Sequence, residues 1–316
     1  MDGVAAFLIP LGIALVCTPL AARLATTIGL VDRPGPLKAQ ARPVPYLGGL
    51  AVGVALGIGL VAEDARLLVP LALALALGIV DDARDLPPRV RVAAEVAIAA
   101  TAAWSAPGPG RLGPLVTALL VLGLLNAINL IDGLDGLAGG VACASALGFA
   151  ALGGAVRDPA LVLAGGLVGF LVWNRPPARV YLGDGGAYLV GTALGLLSAL
   201  ALDSEGTPAA WPAVGLLVSI PVLDTAVAIL RRVRAGRPVF SGDRSHVYDQ
   251  LVERGWAPLA VLAAMVGAQG ALAAVAVAAA STSGLVAWSI AGAVVLLALA
   301  VAFFGGFVAE TNRRHT

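Results

Sequence analysis

Long apolar runs separated by short polar connections dominate the chain. They cover residues 4–25, 47–62, 66–80, 91–105, 112–129, 137–154, 159–173, 186–202, 211–230, 258–280 and 285–308. About 20 apolar residues in a helix cross a bilayer core, so the pattern predicts an all-α, polytopic membrane protein with about eleven transmembrane helices. The runs 66–80 and 159–173 are the weakest for that role. They are expected to extend into flanking polar residues, as helices that line a polar cavity do. Val4–Leu24 is too long for the core of a cleaved leader and follows no basic stretch, so it is read as a first helix. Residues 1–316 then form one membrane-embedded domain whose last two helices occupy 258–308.

Composition agrees. The chain is 59% hydrophobic and 12% charged, against about a quarter charged in soluble domains. The net charge of +1 says little; the placement of the charges says more. With the N-terminus outside and eleven crossings, one set of connections collects Arg33, Lys38, Arg42, Arg84, Arg89, Arg91, Arg175, Arg179 and the arginines between 231 and 254. The tail adds Arg313 and Arg314, while the opposite loops hold Arg66, Arg111 and Arg157. This bias is the positive-inside pattern. It places the C-terminus in the cytoplasm and explains most of the arginines by topology alone. Cys17 and Cys143 lie in apolar runs without metal or redox spacing and are read as small buried hydrophobes.

The acids on the cytoplasmic side need a different account. Asp81-Asp82-Ala-Arg84-Asp85 concentrates three carboxylates, and on a helix Asp81 and Asp85 would share a face. In the segment 126–136, Asn126, Asn129, Asp132 and Asp135 recur every third position, a polar stripe that is costly at a membrane helix without partners. Asp184 sits among Gly183, Gly185 and Gly186. Such a carboxylate at a helix start suits a Mg²⁺ ligand facing phosphates, or a plain N-cap. Asp243-Arg244-Ser-His246 mixes acid, base and imidazole, and Arg244, His246, Lys38 and Arg42 are candidate phosphate contacts. Asp224 lies near the inner end of a helix, and Glu95 is expected to pair with Arg91 one turn away. Acids that gather a divalent cation beside basic groups are what a nucleotide diphosphate requires. A site at the membrane surface adds a lipid as second substrate. No nucleic-acid partner is expected.

The ordered set resembles the polyprenyl-phosphate N-acetylhexosamine-1-phosphate transferases. The matching pieces are Pro43-Val-Pro-Tyr-Leu-Gly-Gly49, Asp81-Asp82, Asn126-Ala-Ile-Asn129-Leu-Ile-Asp132-Gly-Leu-Asp135-Gly136 and Pro177-Ala-Arg-Val-Tyr181-Leu-Gly-Asp184. Pro221-Val-Leu-Asp224-Thr225 and Asp243-Arg244-Ser-His246 complete it, over about residues 30–256. The resemblance implies a bacterial plasma-membrane enzyme with its site on the cytoplasmic face. It implies attack of a polyprenyl (undecaprenyl-type) phosphate on the β-phosphorus of a UDP-N-acetylhexosamine, releasing UMP, with Mg²⁺ required and Mn²⁺ as an alternative. It implies Asn129 and Asp184 as metal ligands and Asp81 and Asp82 as the catalytic pair at the lipid phosphate. It implies substrate contacts from Lys38, Asn126, Asp132, Asp135, Tyr181, Arg244 and His246. A homodimer is compatible with the chain and not read from it.

Two departures stand out. Relatives often carry Arg-Lys-x-His where this chain has Leu37-Lys38-Ala39-Gln40, and several histidines where it has His246-Val-Tyr248-Asp249. The second departure argues against the muramoyl-pentapeptide members and leaves open whether Tyr248 or Asp249 takes over a histidine's place. An ion-coupled transporter is the competing class, but its acids would sit near the bilayer midplane within inverted repeats. Another lipid-modifying transferase would need a second aspartate-rich diphosphate motif.

Overall fold

A computed structural model describes residues 2–34, 42–61, 63–106, 108–238 and 245–308. Thirteen helices follow one another among these residues: α1 (Gly3–Ile28), α2 (Gly48–Val61), α3 (Leu68–Arg84), α4 (Pro88–Ser105), α5 (Gly113–Ile131), α6 (Leu137–Leu152) and α7 (Arg157–Asn174) come first. Then come α8 (Gly183–Glu205), α9 (Ala210–Leu217), α10 (Ser219–Arg234), α11 (Val247–Glu253), α12 (Pro258–Ala280) and α13 (Gly284–Phe304). Each predicted apolar run is helical. Six helices are long and apolar enough to cross a membrane, or seven if the bent pair α9–α10 is one crossing. The architecture is therefore all-α and polytopic. One small addition is the antiparallel ribbon of β1 (Val31–Asp32) and β2 (Val44–Pro45).

Helix α8 is the axis. It is buried along nearly its whole length, and α2, α3, α5 and α6 pack around it. Glycines set these approaches. A Cβ on Gly49 of α2 would collide with the Gly186 backbone of α8, and one on Gly78 of α3 with the Asp184–Gly185 backbone. A Cβ on Gly191 or Gly195 would collide with the α5 backbone near Leu125 and Val121. In lipid, where tails are as apolar as leucine, such close backbone packing drives helix association. The periphery is apolar and open: Leu8, Val16, Leu296 and Phe304 of α1 and α13 face outward.

The run 211–230 is not one straight helix. It breaks at Val218 with a bend of 74°. Pro221 lies two residues into α10 and cannot donate to the preceding turn, while its ring crowds the carbonyl four residues back. The freed backbone groups are met by Gln269 of α12, which is fully buried. Its Oε1 accepts from Ile220 N at 3.0 Å, and its Nε2 donates to Leu217 O at 2.8 Å and Leu216 O at 3.3 Å. Irregular backbone inside a bilayer survives only with such partners.

Replacing Gln269 with Leu should therefore destabilise the fold by about 1–3 kcal/mol, the scale of stranded buried polar groups. Thermal unfolding in detergent would show it as a lower midpoint. An unchanged midpoint would mean the break is satisfied some other way.

Candidate active site

The last turns of α3 and α5 and the first turn of α8 meet at one end of the bundle. Most of the acids singled out in the sequence meet there.

Asp82, in the last turn of α3, points at the start of α8. Its carboxylate accepts from Asp184 N at 3.2 Å and Gly185 N at 3.3 Å. These are first-turn amides with no intrahelical acceptor, and the positive end of the α8 dipole adds to the attraction. Gly183 makes room, with φ +74° and a Cβ position facing Asp82 Oδ2. Asp184 does not cap α8 itself; it stands in the first turn and is capped from α3. Its own carboxylate accepts from Asn129 Nδ2 at 2.9 Å. One short chain of contacts thus joins α3, α8 and α5.

Asp81 turns the other way. It is buried and accepts from Leu86 N at 2.9 Å, Tyr188 Oη at 3.1 Å and Arg91 Nη1 at 3.3 Å. Arg91 also faces Glu95, with Nε 3.9 Å from Oε1. Glu95 in turn accepts from Asn126 Nδ2 at 2.9 Å. Asp81, Arg91, Glu95 and Asn126 therefore form a line of charge and amide beside the acidic centre. The expected pairing of Arg91 with Glu95 is present, but Arg91 also serves Asp81. Asp85 does not share a face with Asp81. It leaves the helix in the left-handed conformation, φ +48°, and is exposed.

The stripe at 126–135 is only half helical. Helix α5 ends at Ile131, Asp132 is its C-cap, and Asp135 lies in the turn to α6. Asp135 accepts from Ala178 N at 2.8 Å, and Asn174 Oδ1 accepts from Gly136 N at 2.9 Å. Both tie this turn to the loop before α8. Asp132 takes no hydrogen-bond donor among the described residues. Burial, then the Asp184, Asp82 and Asp135 carboxylates, push its carboxyl well above the ordinary range.

Tyr181 is held by the ribbon: its N donates to Pro45 O at 2.9 Å, and its O accepts from Gly48 N at 3.0 Å. Its ring lies 6.0 Å from that of Tyr46. Burial, then Asp135, Asp32 and Asp132, push its phenol up to about 12. Tyr46 shifts the same way through burial and then its hydrogen bond and proximity to Asp32, with Asp82 and Asp184 adding less. Both tyrosines therefore stay neutral beside the acids. Tyr46 was not singled out from the sequence, although it stands inside the matching segment 43–49.

His246 starts α11 and is buried. Its Nδ1 is 2.5 Å from Asp224 Oδ2, and Val247 N donates to Asp224 Oδ1 at 2.8 Å. The two residues in the departing positions have defined work. Asp249 accepts from His246 N at 3.2 Å and so caps the short helix. Tyr248 stacks on the imidazole at 5.8 Å, and its Oη donates to Leu130 O at 3.4 Å. A Cβ on Gly133 would collide with that hydroxyl. Below, Gln250 Nε2 donates to Phe307 O at 3.0 Å, and Arg254 lies over the Phe307 ring at 4.1 Å. The end of the chain thus braces α11. Arg42 is exposed; Lys38 and Arg244 lie outside the described residues.

Among the described residues, no three His, Cys, Asp or Glu side chains gather into a closed metal cage. Mg²⁺ does not need one: it keeps waters and is held by one or two carboxylates plus substrate phosphates. Asn129 and Asp184 in contact, with Asp82 and the donor-free Asp132 close by, are an oxygen set of that kind.

Comparisons with known proteins give the chain's family. Residues 65–202 match the profile of glycosyl transferase family 4. A probable undecaprenyl-phosphate N-acetylglucosaminyl 1-phosphate transferase of Bacillus subtilis is 29% identical over 80% of this chain and 78% of its own. An undecaprenyl-phosphate alpha-N-acetylglucosaminyl 1-phosphate transferase of Haemophilus influenzae is 31% identical over 73% and 74%. A decaprenyl-phosphate N-acetylglucosaminephosphotransferase of Mycolicibacterium smegmatis is 30% identical over 73% and 71%.

Arg91 supplies the only cation within 4 Å of Asp81 and Glu95 among the described residues. Arg91→Ala should cost about 1–3 kcal/mol, below the usual loss for breaking a buried pair because Arg91 is 38% exposed. Adding Glu95→Gln should recover part of that loss, since it removes one stranded charge and keeps an acceptor for Asn126. Chemical denaturation of the single and double variants measures the coupling. Simple additivity would contradict the network.

Proposed function

The chain belongs to glycosyl transferase family 4, and from that premise we propose that it transfers N-acetylhexosamine-1-phosphate from a UDP-sugar to a polyprenyl phosphate. It is a phosphoglycosyl transferase and a multi-pass membrane protein. The relatives' names point to N-acetylglucosamine as the sugar. We further propose eleven membrane passes, an outer N-terminus and a site on the cytoplasmic face of the bacterial plasma membrane. The arginine distribution supports that orientation.

The carrying observation is the convergence of Asp82, Asn129, Asp132 and Asp184 from three separate helices at one end of the bundle. In the reaction, an oxygen of the lipid phosphate bonds to the β-phosphorus. The bond from that phosphorus to the oxygen bridging to the α-phosphorus breaks, and UMP leaves. Three acids alone would repel both substrates, so the reading includes Mg²⁺ held by Asn129 and Asp184. The cation would offset phosphate charge and orient the diphosphate.

The chain's own groups divide the rest. Asp82 holds Asp184 in place through the α8 backbone. Tyr181, neutral and half-buried, offers a ring and a hydroxyl to the nucleotide. His246, Lys38 and Arg244 are assigned to phosphate or sugar. Asp81, with three donors already on its carboxylate, acts better as a fixed negative wall than as a proton acceptor. A lipid phosphate is already ionised near neutral pH and does not need one.

Purified protein supplied with polyprenyl phosphate, Mg²⁺ and a panel of UDP-sugars should release UMP with UDP-N-acetylglucosamine. Chelation of the metal should stop it. Asp184→Ala should lower the rate about 100-fold or more, the scale of several kcal/mol of lost charge stabilisation. Turnover with no UDP-N-acetylhexosamine would overturn the reading. Full activity and unchanged Mg²⁺ dependence in Asp184→Ala would overturn the metal assignment.

A further inference from the structure

His246 is the sole imidazole among the described residues, and it is held unusually firmly. The ring and its partner are nearly inaccessible, with side chains 4% and 1% exposed for His246 and Asp224. Asp224 Oδ2 meets Nδ1, while Oδ1 takes the amide of the next residue, Val247. Asp249 fixes the His246 backbone, and the Tyr248 ring stacks on the imidazole at 10°. Tyr248 in turn reaches Leu130 O, beside Asp132 and Asn129. A carboxylate can only accept, so Nδ1 must carry a proton when it meets Asp224. Nε2 is then the one polar atom of the ring left for a ligand.

We propose that Asp224 is a positioning residue: it fixes the Nδ1–H form of His246 and so presents Nε2 as a site that can be protonated and donate to a phosphate oxygen of the nucleotide-sugar. Which nitrogen of a histidine is available is set by the partner of the other one. Asp224 also faces the ring with the negative charge that the imidazolium needs. The pair does for this chain, with one histidine, what a phosphate-binding cation requires: a donor whose direction is fixed by packing and whose charge is balanced from behind. The assignment rests on the phosphoglycosyl transferase reading for its ligand, though not for the tautomer itself.

Asp224→Asn separates this role from a packing role. An asparagine keeps the shape, keeps Oδ1 as acceptor for Val247 N, and can donate to Nδ1. That donation forces the imidazole proton onto Nε2 and disfavours the imidazolium. The chain has only two histidines, His246 and His315, so ring ¹⁵N spectra of the labelled full-length protein in detergent are readable, with His315→Gln giving the assignment. In the unsubstituted protein, His246 should show Nδ1–H, alone or doubly protonated. In Asp224→Asn it should show Nε2–H.

With the UMP-release assay, Asp224→Asn should lower kcat/KM about 10- to 100-fold, the scale known for partners that orient metal-bound imidazoles. Asp224→Glu, which restores a carboxylate, should recover part of it. A His246 already in the Nε2–H form in the unsubstituted protein would overturn the proposal, and that measurement needs no substitution in the dyad and no activity. Asp224→Asn within twofold of the unsubstituted enzyme would overturn it as well. Absence of UMP release from the unsubstituted protein would instead strike the functional reading, with the spectra still deciding the dyad.

Discussion

The Asp82 carboxylate on the first amides of α8 is the contact on which the site depends. It joins the end of one membrane helix to the start of another, where each alone would carry an uncompensated charge or unmet donors. A carboxylate near a helix N-terminus gains from the dipole as well as from the hydrogen bonds. Because Asp184 supplies one of those amides, its side chain is fixed by the same contact. Asn129 then reaches it from α5. The reactive-looking acids are thus placed by backbone groups that any helix start must satisfy, which makes the geometry stiff without extra packing.

That contact is available only because the helices come unusually close. The collisions a Cβ would cause at Gly49, Gly78 and Gly191 show backbone against backbone around α8. With 40 glycines in 316 residues, the chain gives up helix propensity, roughly 1 kcal/mol per glycine relative to alanine. In return it brings polar groups from three helices within hydrogen-bond range. The glycines at 183, 185 and 186 serve the approach of Asp82, of Ile79 on α3 and of Gly49 on α2 to the start of α8.

What could be read from the sequence follows from what a linear pattern records. Apolar runs mark helices, and all eleven runs are helical. The acids at 82, 132 and 184 and the amide at 129 come together because the ends of α3 and α5 meet the start of α8. The pattern does not record what a break costs or who repairs it. Pro221 was visible, yet the partner of the bend, Gln269, lies 49 residues on and looks from sequence like a stray amide in an apolar run. The seven-residue α11 and the short ribbon were invisible for the same reason: each is held by distant partners, Asp224 and Phe307 for one, Tyr181 for the other. The three-residue spacing at 126–135 suggested a continuous stripe, but α5 ends at Ile131 and the last two acids are placed by a turn.

Counting donors separates the acids that sequence alone treats alike. Asp81 receives three, Asp224 two and Asp135 one from a loop amide. These carboxylates are occupied in holding the fold, and recruiting them for a ligand would strand the groups they satisfy. Asp184 receives one side-chain donor, and Asp132 receives none among the described residues. A half-buried carboxylate with no donor and three other carboxylates nearby is costly in the absence of a cation, and it is the kind of group that a bound ligand stabilises. The adjacent Asp81-Asp82 pair therefore splits into two tasks. The first residue turns inward to Arg91 and Tyr188, and the second aligns α8 for the acids that remain open. On the proposed reading, the open acids, not the doublet as a whole, are where a cation would stand between the chain and the substrate phosphates.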